Sequence, residues 1–146
     1  MIRLSRLADY GIVILTHLGS EPGVTMTTRQ LARASHLAEP TVAKVARGLR
    51  RGGLLASQRG LRGGYSLARP ADQITVVDVI DALDGPISMT TCSASAGEPC
   101  GLERTCPVRR QWQQINDTIV GALRRLTLHQ MRGPLPQAAS PSAPTL

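Results

Sequence analysis

From residue 27 to residue 68 the chain lays out a run of short elements that leaves few folds open. Thr27 with Gln30 fits a capping box, in which the hydroxyl caps the amide three residues on and the Gln reaches back. Leu31 and Ala34 then give a short helix its inward face, and residues 35–38 make a brief turn. Glu39 is placed to cap a second helix, with Pro40 at its first helical position. That helix is expected over residues 40–51, with Val42, Val45, Ala46 and Leu49 inward and Thr41, Lys44, Arg47, Arg50 and Arg51 outward. Gly52-Gly53 stops it. Two short strands, 54–58 and 64–68, flank the glycine-rich tip Arg59-Gly60-Leu61-Arg62-Gly63. Ahead of all this, residues 4–18 read as an amphipathic helix buried through Leu4, Leu7, Gly11, Ile14, Leu15 and Leu18. Helix, short helix, turn, basic helix and basic-tipped hairpin, in that order, describe a winged helix-turn-helix. The fold class is therefore mainly α with a small β-hairpin.

Charge gives this segment a partner. The whole chain carries +7, but residues 26–69 hold nine Lys and Arg against the single acid Glu39. The entire excess lies in that segment, as in a polyanion binder. The second helix of such a pair fits a major groove about 12 Å wide. Thr41, Lys44 and Arg47 are the expected base contacts, Arg29 and Arg51 the expected phosphate contacts, and Arg59 and Arg62 arm the hairpin tip. Double-stranded DNA is the expected partner. Aromatic residues are only 2% of the chain, which argues against a base-stacking binder of single strands. No run approaches the roughly 18 apolar residues of a membrane span. The opening residues lack the apolar core of a secretory signal, so the expected location is cytoplasmic.

Beyond the hairpin, Thr75 is placed to cap a helix over residues 76–83, closed by Asp84-Gly85-Pro86. Residues 87–105 are irregular. A long helix is expected over residues 107–131, where Val108, Trp112, Ile115, Ile119, Ala122, Leu126 and His129 step by four and three. That heptad seam favours a homodimer, with Val108, Trp112, Ile115, Ile119 and Leu126 at the interface. Residues 133–146 carry four prolines and no charge, and are expected to be disordered. The organisation is thus a DNA-binding domain (1–85), a cysteine-bearing loop (86–106), a dimerisation helix (107–132) and a tail (133–146).

The chain's only cysteines, Cys92, Cys100 and Cys106, fall in the loop of residues 86–106 with the spacing C-x₇-C-x₅-C. An odd number in a reducing compartment argues against a disulfide framework. Three thiols within 15 residues suit a soft metal or an iron–sulfur cluster. Zinc, with His129, His36 or His17 as a fourth ligand, stays open, although the short C-x₂₋₄-C spacing of zinc knuckles is absent. A thiol enzyme needs a base beside its cysteine, and the loop has neither His nor C-x-x-C. No enzyme and no small-molecule substrate are expected.

Several strings together are quite specific. They are Arg3-Leu4-Ser5, Leu31-Ala32, Leu49-Arg50-Arg51-Gly52-Gly53-Leu54, Arg59-Gly60-x-x-Gly63-Gly64-Tyr65-x-Leu67, Ile74-Thr75-x-x-Asp78-Val79-Ile80 and the three-cysteine loop. Through them the chain resembles the Rrf-type (IscR/NsrR-like) winged-helix transcriptional regulators over about residues 1–131. The opening Leu4-Ser5-Arg6-Leu7-Ala8-Asp9-Tyr10 is most similar to the branch that regulates SUF iron–sulfur assembly genes. The resemblance implies a homodimer on palindromic promoter DNA and an iron–sulfur cluster, two-iron or four-iron, on Cys92, Cys100 and Cys106. IscR-type members place a His three residues after the last cysteine, where this chain has Arg109. NsrR-type members use an N-terminal Asp of the other subunit, and Asp9 matches that position, with Glu103 and His17 in reserve. The implied function is an iron–sulfur-sensing regulator, in the first place a repressor. A nitric-oxide or redox sensor of the same family is the alternative, and a zinc-stapled nucleic-acid binder a more distant one.

Overall fold

The computed structural model describes residues 3–93, 100–102 and 104–132. The expected tail at 133–146 and the reserve ligand Glu103 lie outside the described residues.

Helix α1 (Arg6–Leu18) starts where the Ser5 hydroxyl accepts from the Ala8 amide. It buries Ala8, Gly11, Ile14, Leu15 and Leu18. Leu4, expected on the buried face, is instead 45% exposed, because the Ser5 cap starts the helix after it. Helix α2 (Thr28–Ser35) opens with the capping box on Thr27 and Gln30, and buries Leu31. It closes at His36, the one described non-glycine residue with positive φ. Helix α3 (Glu39–Arg51) follows, with Val42, Val45, Ala46 and Leu49 fully buried. Its cap differs from expectation. Ala38 is the N-cap without a side-chain bond, and Glu39 lies inside the helix. Pro40 in the first turn removes one amide that would otherwise need a partner.

Helix α4 (Val76–Leu83) begins at a second capping box, on Thr75 and Asp78. It lies close to α1 and α3 because glycines face it. A Cβ at Gly11 would stand 2.5 Å from a Leu83 methyl, and one at Gly48 would stand 2.6 Å from the other. Leu83 therefore fills a notch that any larger residue would close.

Strands β1 (Leu55–Gln58) and β2 (Gly64–Leu67) pair antiparallel, with Leu55 opposite Leu67 and Gln58 opposite Gly64. The hairpin has a third partner that the spacing of residues does not reveal. Met26 and Tyr65 exchange both backbone bonds, at 2.9 and 2.8 Å, and so tie the wing to the start of α2. Gly64 makes this approach possible. Its φ is +150°, and a Cβ there would meet the Met26 carbonyl oxygen at 2.5 Å. Gly64→Ala is expected to cost about 1–3 kcal/mol, as clashes at special backbone positions do. A thermal melt should show a Tm lower by several degrees.

The long C-terminal helix is interrupted. Helix α5 (Arg109–Arg124) ends before Leu126, and a one-turn helix α6 (Leu128–Met131) starts at a third capping box, on Thr127 and Gln130. The break is paired to the chain ahead of α4. The Val76 amide donates to Leu126 and the Leu128 amide to Ile74. Leu126 therefore leaves the seam and packs on the buried cluster of Ala8, Val76 and Ile80. His129 lies exposed on α6. The Arg132 guanidinium donates to the Gly19 and Ser20 carbonyls and fastens α6 to the end of α1. Among the described residues no helix is long and apolar enough to cross a membrane.

Candidate nucleic-acid interface and cysteine loop

The amphipathic pattern of α3 decides which side chains it offers outward. With Val42, Val45, Ala46 and Leu49 buried, Lys44, Arg47, Arg50 and Arg51 are exposed on the other side and Thr41 is half-buried. Arg29, in the first turn of α2, faces Glu39 at 4.0 Å. Their side chains are 74% and 52% exposed, so this ion pair is loose and screened by solvent. Arg29 remains available to a phosphate. At the wing, the Gly63 amide donates to the Gly60 carbonyl at 2.9 Å and closes a turn with Leu61 and Arg62 at its centre. Arg59, Leu61 and Arg62 are all exposed. The structure thus gathers Thr41, Lys44, Arg47 and Arg51 on one helix, sets Arg29 beside its N-terminus, and places Arg59 and Arg62 at the hairpin tip. Glu39 is the only acid within this stretch of sequence.

The cysteine loop is fastened to α5. Asn116 is the one buried polar residue among those described, 8% exposed, and its Oδ1 accepts from the Met89 amide at 3.0 Å. Three residues further on, Cys92 lies in a short 3₁₀ turn, where its sulfur and the Thr90 hydroxyl are 3.1 Å apart. Nothing in the spacing of α5 marks Asn116 as an anchor, because its partner is distant in sequence. Ser5, which donates to Asp84 at 2.7 Å, likewise has a partner far away in sequence.

Cys92, Cys100 and Cys106 are all free and half-buried. Thiolates are suitable donors for iron–sulfur chemistry. Their arrangement within one chain is not a finished site. Among the described residues, no three His, Cys, Asp or Glu side chains lie together as an ion-binding set. Asp9 is exposed on the first turns of α1. His17 is half-buried, and His36 and His129 are exposed.

The remaining seam residues form an apolar stripe along α5 and its N-cap, largely exposed among the described residues. Val108 is 47% exposed, Trp112 38% and Ile115 43%, with Ile119 half-buried beyond them. At the inner end of α5, Arg124 acts on Asp81 of α4. The Asp81 carboxyl is raised above its ordinary range by desolvation and by Asp78, and Arg124 opposes that rise.

Known proteins share this architecture. A family model described as "Rrf2: Iron-dependent Transcriptional regulator" matches residues 4–133. The transcriptional regulator CymR of Bacillus subtilis is 31% identical over 132 residues, 89% of each chain. The transcriptional regulator IscR of Cronobacter sakazakii is 37% identical over 83 residues, 57% of this chain and 50% of that one. The solved structure of CymR, described as the global cysteine regulator of B. subtilis, superposes with a TM-score of 0.69 at 28% identity, covering 90% of this chain and 97% of that one. That of T. potens IscR gives 0.64 at 26% identity, covering 89% and 85%.

Proposed function

This chain belongs to the Rrf2 family of DNA-binding transcriptional regulators and is not an enzyme, and from that premise we propose that it is an iron–sulfur-sensing repressor of SUF-type iron–sulfur assembly genes. One observation carries the reading most directly. The three thiols of the chain share one loop, and Asn116 fastens that loop to α5. The family's description as iron-dependent supports it. So does the opening segment from Leu4 to Tyr10, for the choice of target genes.

In this proposal the chain works as a homodimer joined through Val108, Trp112, Ile115 and Ile119. Cys92, Cys100 and Cys106 would supply three ligands, and Asp9 of the partner subunit the fourth. When bound, the iron–sulfur group supplies thiolate-ligated iron that is lost on oxidation or iron shortage. Among the described residues the three thiols are not gathered as one set, so holding the group would draw Cys92, Cys100 and Cys106 together. Drawing in Cys92 would act on Met89 and, through Asn116, on α5. Asp9 sits on α1, which packs on α3. Ligation across the dimer would therefore set the spacing of the two α3 helices, each offering Thr41, Lys44 and Arg47 to a major groove and Arg59 and Arg62 to the flanking DNA. Effector and DNA are then coupled ligands of one dimer shape.

A second reading has its own support. Ungathered, half-buried thiols also suit direct thiol chemistry, and CymR, described as a cysteine regulator, covers nearly the whole chain. One experiment separates the two. Protein purified without air should absorb in the visible with matched iron and sulfide. Cys100→Ala should abolish that absorption and Asp9→Ala should weaken it. A colourless protein without iron or sulfide would reject the iron–sulfur reading and leave the thiol reading standing.

A further inference from the structure

The tip of the wing carries a side chain that neither the dimer nor the cysteine loop accounts for. Leu61 is 109% exposed, more than any other exposed large apolar side chain among the described residues. Val108, Trp112 and Ile115 share the α5 stripe, and Leu102 lies in the cysteine loop. Leu61 stands apart from both. A solitary surface leucine is ordinary, but this one holds a special place. It sits at the centre of the turn closed by the bond from the Gly63 amide to Gly60, where polar residues are usual. Glycines at 60, 63 and 64 bring no side chain to cover it. They also make the tip thin. A Cβ at Gly63 would lie 2.6 Å from the Gln58 carbonyl oxygen and 2.9 Å from that of Gly60. Arg59 and Arg62 flank it, and no acid occurs between Glu39 and Asp72. The chain thus ends this hairpin in a narrow apolar point between two cations.

A minor groove is about 6 Å wide and lined with negative potential. Thin protein edges enter it, and apolar side chains there unstack a base step and kink the duplex. We propose that Leu61 is such a wedge: Arg59 and Arg62 draw the wing to the phosphates, and Leu61 presses between base pairs of the minor groove and bends the DNA. The wedge rests on the DNA-binding reading of the wing. It makes Leu61 a determinant of which sequences bind, because pyrimidine–purine steps yield most easily.

The test uses the full chain and a duplex recovered by the wild-type protein from a random pool, carrying a dye at each end. Affinity over a range of salt and end-to-end energy transfer are measured for wild type, Leu61→Ser, Leu61→Met and Arg62→Ala. Leu61→Ser is expected to weaken binding by about tenfold or more, the scale of one unburied leucine side chain. It should also reduce the bend while leaving the salt slope unchanged. Leu61→Met should keep affinity and bend. Arg62→Ala should lower the salt slope by about one. Wild-type affinity and bend in Leu61→Ser would overturn the wedge while leaving the DNA-binding reading intact. A weakening in Leu61→Ser that carries the salt signature of Arg62→Ala would overturn it too. Recovery of no duplex at all by the wild type would overturn the DNA-binding reading and the wedge with it.

Discussion

Glutamate at both Trp112 and Ile115 is expected to turn a dimer into a monomer in analytical ultracentrifugation, with the winged-helix domain still folded. Both side chains are exposed in the single chain, at 38% and 43%, so a charge there costs the monomer little. In a dimer joined by this stripe the same charges are buried without partners, at several kcal/mol each. Each chain brings two, so self-association should weaken by about a thousandfold or more on that scale. DNA binding should fall with it, since two linked half-sites bind far more tightly than one. A double variant that still sediments as a dimer would show that α5 is not the interface. Leu126→Glu offers a contrast. Leu126 packs on Ala8, Val76 and Ile80 within the chain, so this change should lower thermal stability.

Replacing Lys44 and Arg47 together with alanine is expected to weaken DNA binding by about a thousandfold or more. A good base interaction contributes about 1–3 kcal/mol, and the double variant removes two from each half-site. Any part of the effect that comes from phosphates should flatten the salt dependence by about 0.9 for each phosphate no longer neutralised. Both side chains are exposed on α3, so the melting curve should move little. Unchanged affinity would place the DNA on another face. Arg29→Ala should have a smaller effect, because its loose pair with Glu39 already competes for its charge.

Local signals were the legible part of this fold. Thr27 with Gln30 and Thr75 with Asp78 mark helix starts because the bonds they make lie within one turn. The inward positions of α3 follow from spacing alone, and so does its exposed basic side. The long C-terminal helix failed for an instructive reason. Leu126 and His129 continue the four-and-three spacing of the seam, yet Thr127 and Gln130 repeat the start signal of α2 inside it. The capping box won because the chain ahead of α4 supplies backbone partners for the break at Leu126 and Leu128. Those partners are some fifty residues away, and no periodicity reports them. The same holds for Met26 against Tyr65 and for Met89 against Asn116. At the candidate sites, the sequence pointed to the basic positions and the three cysteines by residue type. How the thiols stand to one another depends on the fold of an irregular loop, and there the described residues show no assembled set.

The most direct test of iron–sulfur control compares DNA affinity with and without iron. Protein purified without air is divided, and one half is stripped with an iron chelator under reducing conditions. Both halves are titrated with the same selected duplex. Coupling of effector to DNA is typically about 1–3 kcal/mol, so the iron-loaded protein should bind about 5- to 150-fold more tightly. That difference should vanish in Cys100→Ala. Equal affinity in the loaded and stripped halves would contradict iron–sulfur control of this regulator.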